Sequence, residues 1–340
     1  MSFKAIKGQD KAIERLKRYI SQDNLPRPCV QERGLAGAYL FIGPEGVGKN
    51  LIAKTLAKAV NCEDLTLDSC DRCAACLKIE KNQHPDVHLI DASIDMNTSK
   101  SHIKIEDIRQ LQKDINLKPY EGKKKVFIIN DAHNLTPEAQ NALLKVLEEP
   151  PQNSLIILVT LKPQLLFKTI ISRCQTVKFY PLPRIELKEI LRKDYGLDDT
   201  LAHFLAYFCE GRIGKALRLK DTDILKEKNR IIDTYVLPRG STPDNFTVQN
   251  REDIARHLNT LSSWFRDIYL IKIGLPHYEL INLDRKTQIL KIMHRYSFAS
   301  LNEIFNSISD SLLYLEQNVN IKLLVSNLRE DISYGARRAT

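Results

Sequence analysis

The chain has 340 residues, 43% of them hydrophobic, which is enough for two or three domains with cores of their own. A net charge of +9 and an isoelectric point near 9.1 suggest a nucleic acid or an acidic partner nearby, and charge alone does not choose between them. No apolar run approaches membrane-spanning length and Met1-Ser2-Phe3-Lys4 lacks a signal-peptide core, so membrane and exported classes are set aside and a cytosolic location is expected.

The first strong signal is a short apolar run, Ala38 to Ile42, which fits a buried parallel strand. Gly43-Pro44-Glu45-Gly46-Val47-Gly48-Lys49-Asn50 follows it, and Leu51 to Val60 then carries apolar residues at helical spacing. Strand, glycine turn and helix in this order form a P-loop: Gly43, Gly46 and Gly48 let backbone N–H groups close on phosphates, and Lys49 reaches the terminal ones. The last position of a working loop is a Ser or Thr whose hydroxyl ligates Mg²⁺. Asn50 has only an amide oxygen, so the loop is expected to hold phosphate and to organise Mg²⁺ poorly. Whether ATP is bound stays open at this stage, beside the bland alternative of a glycine turn with no ligand.

Just after that helix, Cys62, Cys70, Cys73 and Cys76 form a Cys-x7-Cys-x2-Cys-x2-Cys cluster. Thiolates two residues apart converge on a tetrahedral metal, and four with no open position describe a structural zinc site. Disulfides are disfavoured in a reducing cytosol, and an iron–sulfur cluster is the remaining alternative for this ligand set. Cys29 and Cys209 read as packing residues.

Lys125 to Ile129 is a β-branched apolar run leading into Asn130-Asp131-Ala132-His133. Nucleotide hydrolases of this architecture end that strand in Asp-Glu, for the metal's water shell and for the attacking water. Asn130 is neutral and Asp131 is one methylene short, which makes this a weak place for hydrolysis. Thr136-Pro137-Glu138 then reads as a capped helix start, with the helix running through Leu143 and Leu147 to Glu148-Glu149-Pro150-Pro151. Leu155 to Thr160 is a third strand. Ile170 to Gln175 reads as another strand-like turn opening into Val177-Lys178-Phe179. Alternating strands and helices predict an α/β, doubly wound parallel sheet.

Pro181-Leu182-Pro183 reads as a hinge, Ile185 to about Leu219 as helical, and Leu237 to Asn245 as a turn-rich linker. Helical stretches follow, including Leu261 to Tyr269 around Trp264, which is expected in the core, and Val319 to Leu328. Lys123-Lys124-Lys125 is a basic run that would face DNA or, more simply, solvent.

Taken together, the P-loop, the four cysteines, Asn130-Asp131, Leu143-Leu144-Lys145-Val146-Leu147-Glu148-Glu149-Pro150-Pro151 and Ser172-Arg173-Cys174 resemble the AAA+ clamp-loader subunits of bacterial DNA polymerase III, over nearly the whole chain. The resemblance implies an AAA+ domain over 1–180 with a zinc module at about 62–80, a helical lid over 181–235 and an all-α collar over 246–340. It also implies a heteropentameric ring with gamma/tau motor subunits and a delta subunit, acting on a sliding clamp and primer-template DNA, with no membrane partner. In that family the arginine of Ser-Arg-Cys reaches a neighbour's ATP, which would make Arg173 act in trans. The resemblance also gives Thr160 the polar group that senses a terminal phosphate, followed by Leu161 where the motor is usually polar, and the motor's nucleotide-sensing arginine aligns with Gly214. Asn50, Asn130, Asp131 and Gly214 all depart from the motor pattern, and no proline-rich or basic extension follows the last helix as it does in tau. A non-hydrolysing stator is therefore expected. An ATP-hydrolysing gamma/tau-type motor and a free-standing zinc-stabilised DNA-binding protein are the alternatives.

Overall fold

The computed structural model describes residues 1–23, 37–64, 67–94, 101–237, 251–317, 319 and 321–337. Cys29 and the linker stretch 238–245 lie outside the described residues. Contacts divide the chain into two units, Met1–Leu182 with Arg212–Gly214, and Pro183–Gly211 with Lys215–Thr340.

The first unit runs α1 (Asp10–Asp23), β1 (Ala38–Ile42), α2 (Lys49–Asn61), α3 (Ala74–Glu80), β2 (Val87–Ile90), β3 (Ser93–Ile94), β4 (Ser101–His102), α4 (Ile105–Ile115), β5 (Lys125–Ile129), α5 (Pro137–Glu148), β6 (Ser154–Thr160), α6 (Lys168–Arg173) and β7 (Gln175–Lys178). Five strands form one parallel sheet in the order β2-β5-β6-β1-β7, while β3 and β4 make a small antiparallel pair. Every residue of β5 and β6 is buried, as continuous apolar runs covered on both faces require.

Alternation along the strands feeds two cores. Tyr39, Phe41, Val126, Ile128, Leu155, Ile157 and Val159 pack with Ile52 and Leu56 of α2 and Leu16 of α1 on one face. Leu40, Phe127, Ile129, Ile156 and Leu158 pack with Leu111 of α4, Leu143 of α5 and Ile170 of α6 on the other. Burial of each large apolar side chain is worth on the order of 1.5–3 kcal/mol, so this two-sided core fixes the sheet and the loops at its carboxyl edge. At α5, Thr136 Oγ1 accepts from the Ala139 N–H at 3.2 Å and Pro137 opens the helix, as its sequence predicts.

One expectation is corrected here. Residues 170–173, expected as a strand-like turn, form the end of the short helix α6, and only then does β7 begin. The two β-branched isoleucines suggest a strand, but the helix puts Ile170 in the core and leaves Ile171 half-buried. The basic run also splits: Lys125 is buried and its Nζ donates to the Asp114 carbonyl at 2.9 Å, so it faces neither DNA nor solvent. Lys123 Nζ donates to the Cys62 carbonyl. Elements α1, β2, β3, β4 and α4 have no counterpart among the sequence expectations.

Among the described residues the rest of the chain is helical: α7 (Arg184–Lys193), α8 (Asp199–Phe208), α9 (Ile213–Leu219, whose first two residues belong to the first unit), α10 (Ile224–Tyr235), α11 (Arg251–Lys272), α12 (Lys286–Ile292), α13 (Phe298–Glu316) and α14 (Ile321–Arg337). Trp264 sits fully buried with Leu261, Phe265 and Ile268 of α11 against Leu301 and Ile304 of α13. Cys209 is also fully buried. Among the described residues no helix is long and apolar enough to cross a membrane.

At the edge of the sheet, buried Asp86 accepts three backbone N–H bonds, from Tyr120 at 2.8 Å, Glu121 at 2.9 Å and Gly122 at 2.7 Å. Burial opposes its ionisation, yet those N–H groups hold its pKa below the usual carboxylate value. The stabilisation is therefore full above the unfolded-state pKa and is lost as pH falls through the lower folded-state one. Asp86→Ala strands three amides, and urea unfolding at pH 7 should show a loss of about 3 kcal/mol, the difference from wild type shrinking toward pH 3.

Candidate functional site

The carboxyl ends of β1, β5 and β6 meet at one edge of the sheet, where ligands bind in folds of this kind. The loop after β1 has the P-loop shape. Gly46 and Gly48 take φ of +79° and +98°, the left-handed region that favours glycine, and Gly48 caps α2. Gly43 is required for a second reason, since a Cβ there would lie 2.6 Å from the Phe179 carbonyl oxygen.

Lys49 is where this loop departs from a waiting phosphate site. Its side chain is buried, and Nζ donates to the loop's own Gly43 and Pro44 carbonyls at 2.7 and 2.6 Å. Burial lowers its pKa, against the opposing pull of Asp131 and Glu45. The lysine thus braces the turn that it would otherwise extend from. The Gly46 carbonyl is also taken, accepting from the Gly214 N–H at 2.7 Å. A Cβ at position 214 would stand 2.9 Å from that same oxygen, so an arginine cannot occupy this position without displacing the loop.

The neighbouring strand ends are engaged in the same way. Asn130 Nδ2 donates to Asp91 Oδ1 at 2.7 Å, which turns the amide toward the β2 side, and its Oδ1 is buried without a partner. Asp131 holds φ of +44°, a conformation that Asp tolerates better than most residues, and is exposed. Buried Thr160 accepts at Oγ1 from the Lys162 N–H at 3.1 Å and lies 3.4 Å from His133 Nδ1. Burial lowers the His133 pKa, with Asp131 opposing. Asn50 is exposed at the start of α2. The structure therefore gathers Gly43, Gly46, Gly48, Lys49, Asn130, Asp131 and Thr160 at one edge, with the lysine and the amide already bonded within the chain.

Arg173 ends α6, whose start is set from α5. Buried Gln140 donates to the Leu135 and Leu165 carbonyls at 3.3 and 3.2 Å and accepts from the Phe167 N–H, the residue capping α6, at 2.8 Å. Cys174 anchors the other end in the core, where burial alone raises its pKa to about 12 and keeps the thiol unreactive. The guanidinium between these anchors is partly exposed. NH1 donates to the Thr169 carbonyl at 3.1 Å and NH2 to Glu148 Oε1 at 3.0 Å.

The four cysteines converge. Sγ atoms of Cys62, Cys70, Cys73 and Cys76 all lie within 4.8 Å of one another, and those of Cys62 and Cys73 are 4.0 Å apart. Sulfurs held about 2.3 Å from a tetrahedral zinc stand about 3.8 Å apart, so the spacing suits such an ion and is far too long for a disulfide. The Cys73 and Cys76 N–H groups point at the Cys70 and Cys73 sulfurs, at 3.3 and 3.4 Å. For Cys73, burial opposes ionisation, but N–H groups of Glu63 and Cys76 and the adjacent thiols bring its pKa down to about 7. Cys62 and Cys76 are pushed up by burial. Lys58 of α2, almost fully buried, pairs with Asp71 at 3.0 Å and with Glu80, tying the cysteine segment to the P-loop helix.

Sequence reading misses Asp91, Gln140, His133 and the Glu148 contact, because each acts through a partner distant in the chain. Only Gln140 leaves a trace, a polar residue on the apolar face of a helix.

Lys49 braces the loop through its two carbonyl partners. Lys49→Met should lower stability by about 1–2 kcal/mol in urea unfolding without ligand, since two loop carbonyls lose a charged donor.

Two family models match: "DNA polymerase III, delta subunit" over residues 8–183, and "DNA polymerase III, delta subunit, C terminal" over 229–329. The DNA polymerase III subunit delta' of Bacillus subtilis is 31% identical over 310 residues, covering 88% of this chain and 91% of that protein. The tau subunit of Escherichia coli is 39% identical over 193 residues, covering 55% of this chain and 29% of tau. A gamma-subunit-related protein of Thermotoga maritima aligns with a TM-score of 0.46 at 19% identity, over 96% of this chain and 100% of that one. With a delta' relative matched over 91% of its length and both family models in chain order, this chain belongs to the DNA polymerase III delta-prime family of clamp-loader subunits.

Proposed function

We propose that the chain is the stator of a clamp-loader ring: it holds the ring's geometry, hydrolyses no ATP of its own and presents Arg173 to the ATP of an adjacent motor subunit. The observation that carries this reading is Lys49 turned back onto the Gly43 and Pro44 carbonyls, beside Asn50 where Mg²⁺ needs a hydroxyl. Asn130 held by Asp91 and Gly214 packed on Gly46 support it. Outside this self-bonded pocket, Arg173 carries a partly exposed guanidinium on a short helix anchored at both ends. A fixed cation of this kind stabilises charge developing during phosphoryl transfer.

On this reading the partners are gamma/tau-type motor subunits and a delta subunit in a five-membered ring, with the sliding clamp and primer-template DNA met through the complex. The protein works in the cytosol. Residues 1–180 serve as an AAA+ domain without hydrolysis, 181–235 as its lid and 246–340 as the collar that holds the ring.

Cys62, Cys70, Cys73 and Cys76 hold a structural zinc ion, which closes the segment between α2 and α3. Four thiolates leave no position for water or substrate, so the ion contributes folding energy and no chemistry.

Two measurements test these assignments. The purified chain should show no ATP turnover, and Arg173→Ala in the reconstituted complex should lower its turnover by about tenfold or more with assembly intact. Clear turnover by the chain alone favours the motor alternative, and unchanged turnover in the variant complex removes the trans role. Metal analysis should find about one zinc per chain, falling to near zero in Cys73→Ser together with the melting temperature.

A further inference from the structure

Glu148 stands where helix energetics disfavour it. It is the last residue of α5, so its carboxylate meets the negative end of the helix dipole, where a cation is preferred. Its place is tightly set. Gly37 lies so close to Pro150 that a Cβ there would stand 2.4 Å from the proline Cγ, and the Gly37 carbonyl accepts from the Ile156 N–H at 2.9 Å, which locks the chain beyond the helix to the sheet. From this fixed point Oε1 reaches Arg173 NH2 at 3.0 Å, while Thr169 O holds NH1 at 3.1 Å.

Two anchors on separate elements define the plane of the guanidinium, as a single contact would not. A free arginine of this exposure samples many rotamers and must give them up when it meets a phosphate. We propose that Glu148 is a positioning residue for Arg173, holding the guanidinium in its working direction before the neighbour's ATP arrives. The inference rests on the trans reading of Arg173. Glu148 touches neither nucleotide nor metal; it acts through the arginine alone. An exposed ion pair is weak, so the arginine can turn its remaining N–H groups to a phosphate without breaking a strong bond.

The test uses the complex reconstituted with its motor and delta subunits and measures steady-state ATP turnover on primed DNA. Glu148→Ala should lower kcat by about threefold to tenfold and leave KM for ATP unchanged, because ground-state binding belongs to the neighbour's pocket. Glu148→Gln keeps an acceptor at Oε1 and should return most of the rate. Glu148→Asp keeps the charge, falls a methylene short and should behave like alanine. In the Arg173→Ala background, Glu148→Ala should cost nothing further, a non-additivity that a general structural role would not produce. If Arg173→Ala slows the complex while Glu148→Ala leaves kcat unchanged or raises it, positioning is overturned and the trans role stands. If Arg173→Ala has no effect, the trans reading falls and positioning falls with it.

Discussion

Burial of β1, β5 and β6 on both faces is the constraint from which the rest follows. Strands closed to water on each side cannot slip in register without moving every side chain into the wrong core. Their carboxyl ends are therefore held in place whatever chemistry sits on them. The glycines of the P-loop are held to the same frame: Gly43 is required by the Phe179 backbone, and Gly46 and Gly48 by their own backbone angles.

Within that frame the polar groups of the loop find partners in the chain itself. In a working site the lysine and the strand-end carboxylate are kept ready for phosphate and metal. Here each equivalent group is paired inside the chain: Lys49 with loop carbonyls, Asn130 with Asp91, the Gly46 carbonyl with Gly214.

Much of this was legible beforehand because it is local. The strand-glycine-helix order, the cap at Thr136-Pro137, the cysteine spacing and the core position of Trp264 are all set by neighbours in sequence. Less legible was whatever depends on distant partners. The Ile170-Ile171 pair favours a strand by composition, but packing of Ile170 beneath the sheet and the bond from Phe167 to Gln140 settle it as a helix. The half-buried edge strand β2 carries no strong apolar pattern, and its place is defined by pairing with β5. Lys125 looked like one of three solvent cations, and only the reach of its stem to Asp114 takes it inside.

The loop held by Asp86 shows that being seen by solvent and being free to move are separate properties. Tyr120 is 86% exposed, the most open of the large apolar and aromatic side chains among the described residues, yet its amide is tied to a fully buried carboxylate together with the next two. One acceptor serving three donors makes their release a single event. These amides should exchange with water together, in step with the β2 and β5 edge and far more slowly than their position on the surface suggests. An aromatic ring is thereby carried on a backbone tied to the sheet's edge.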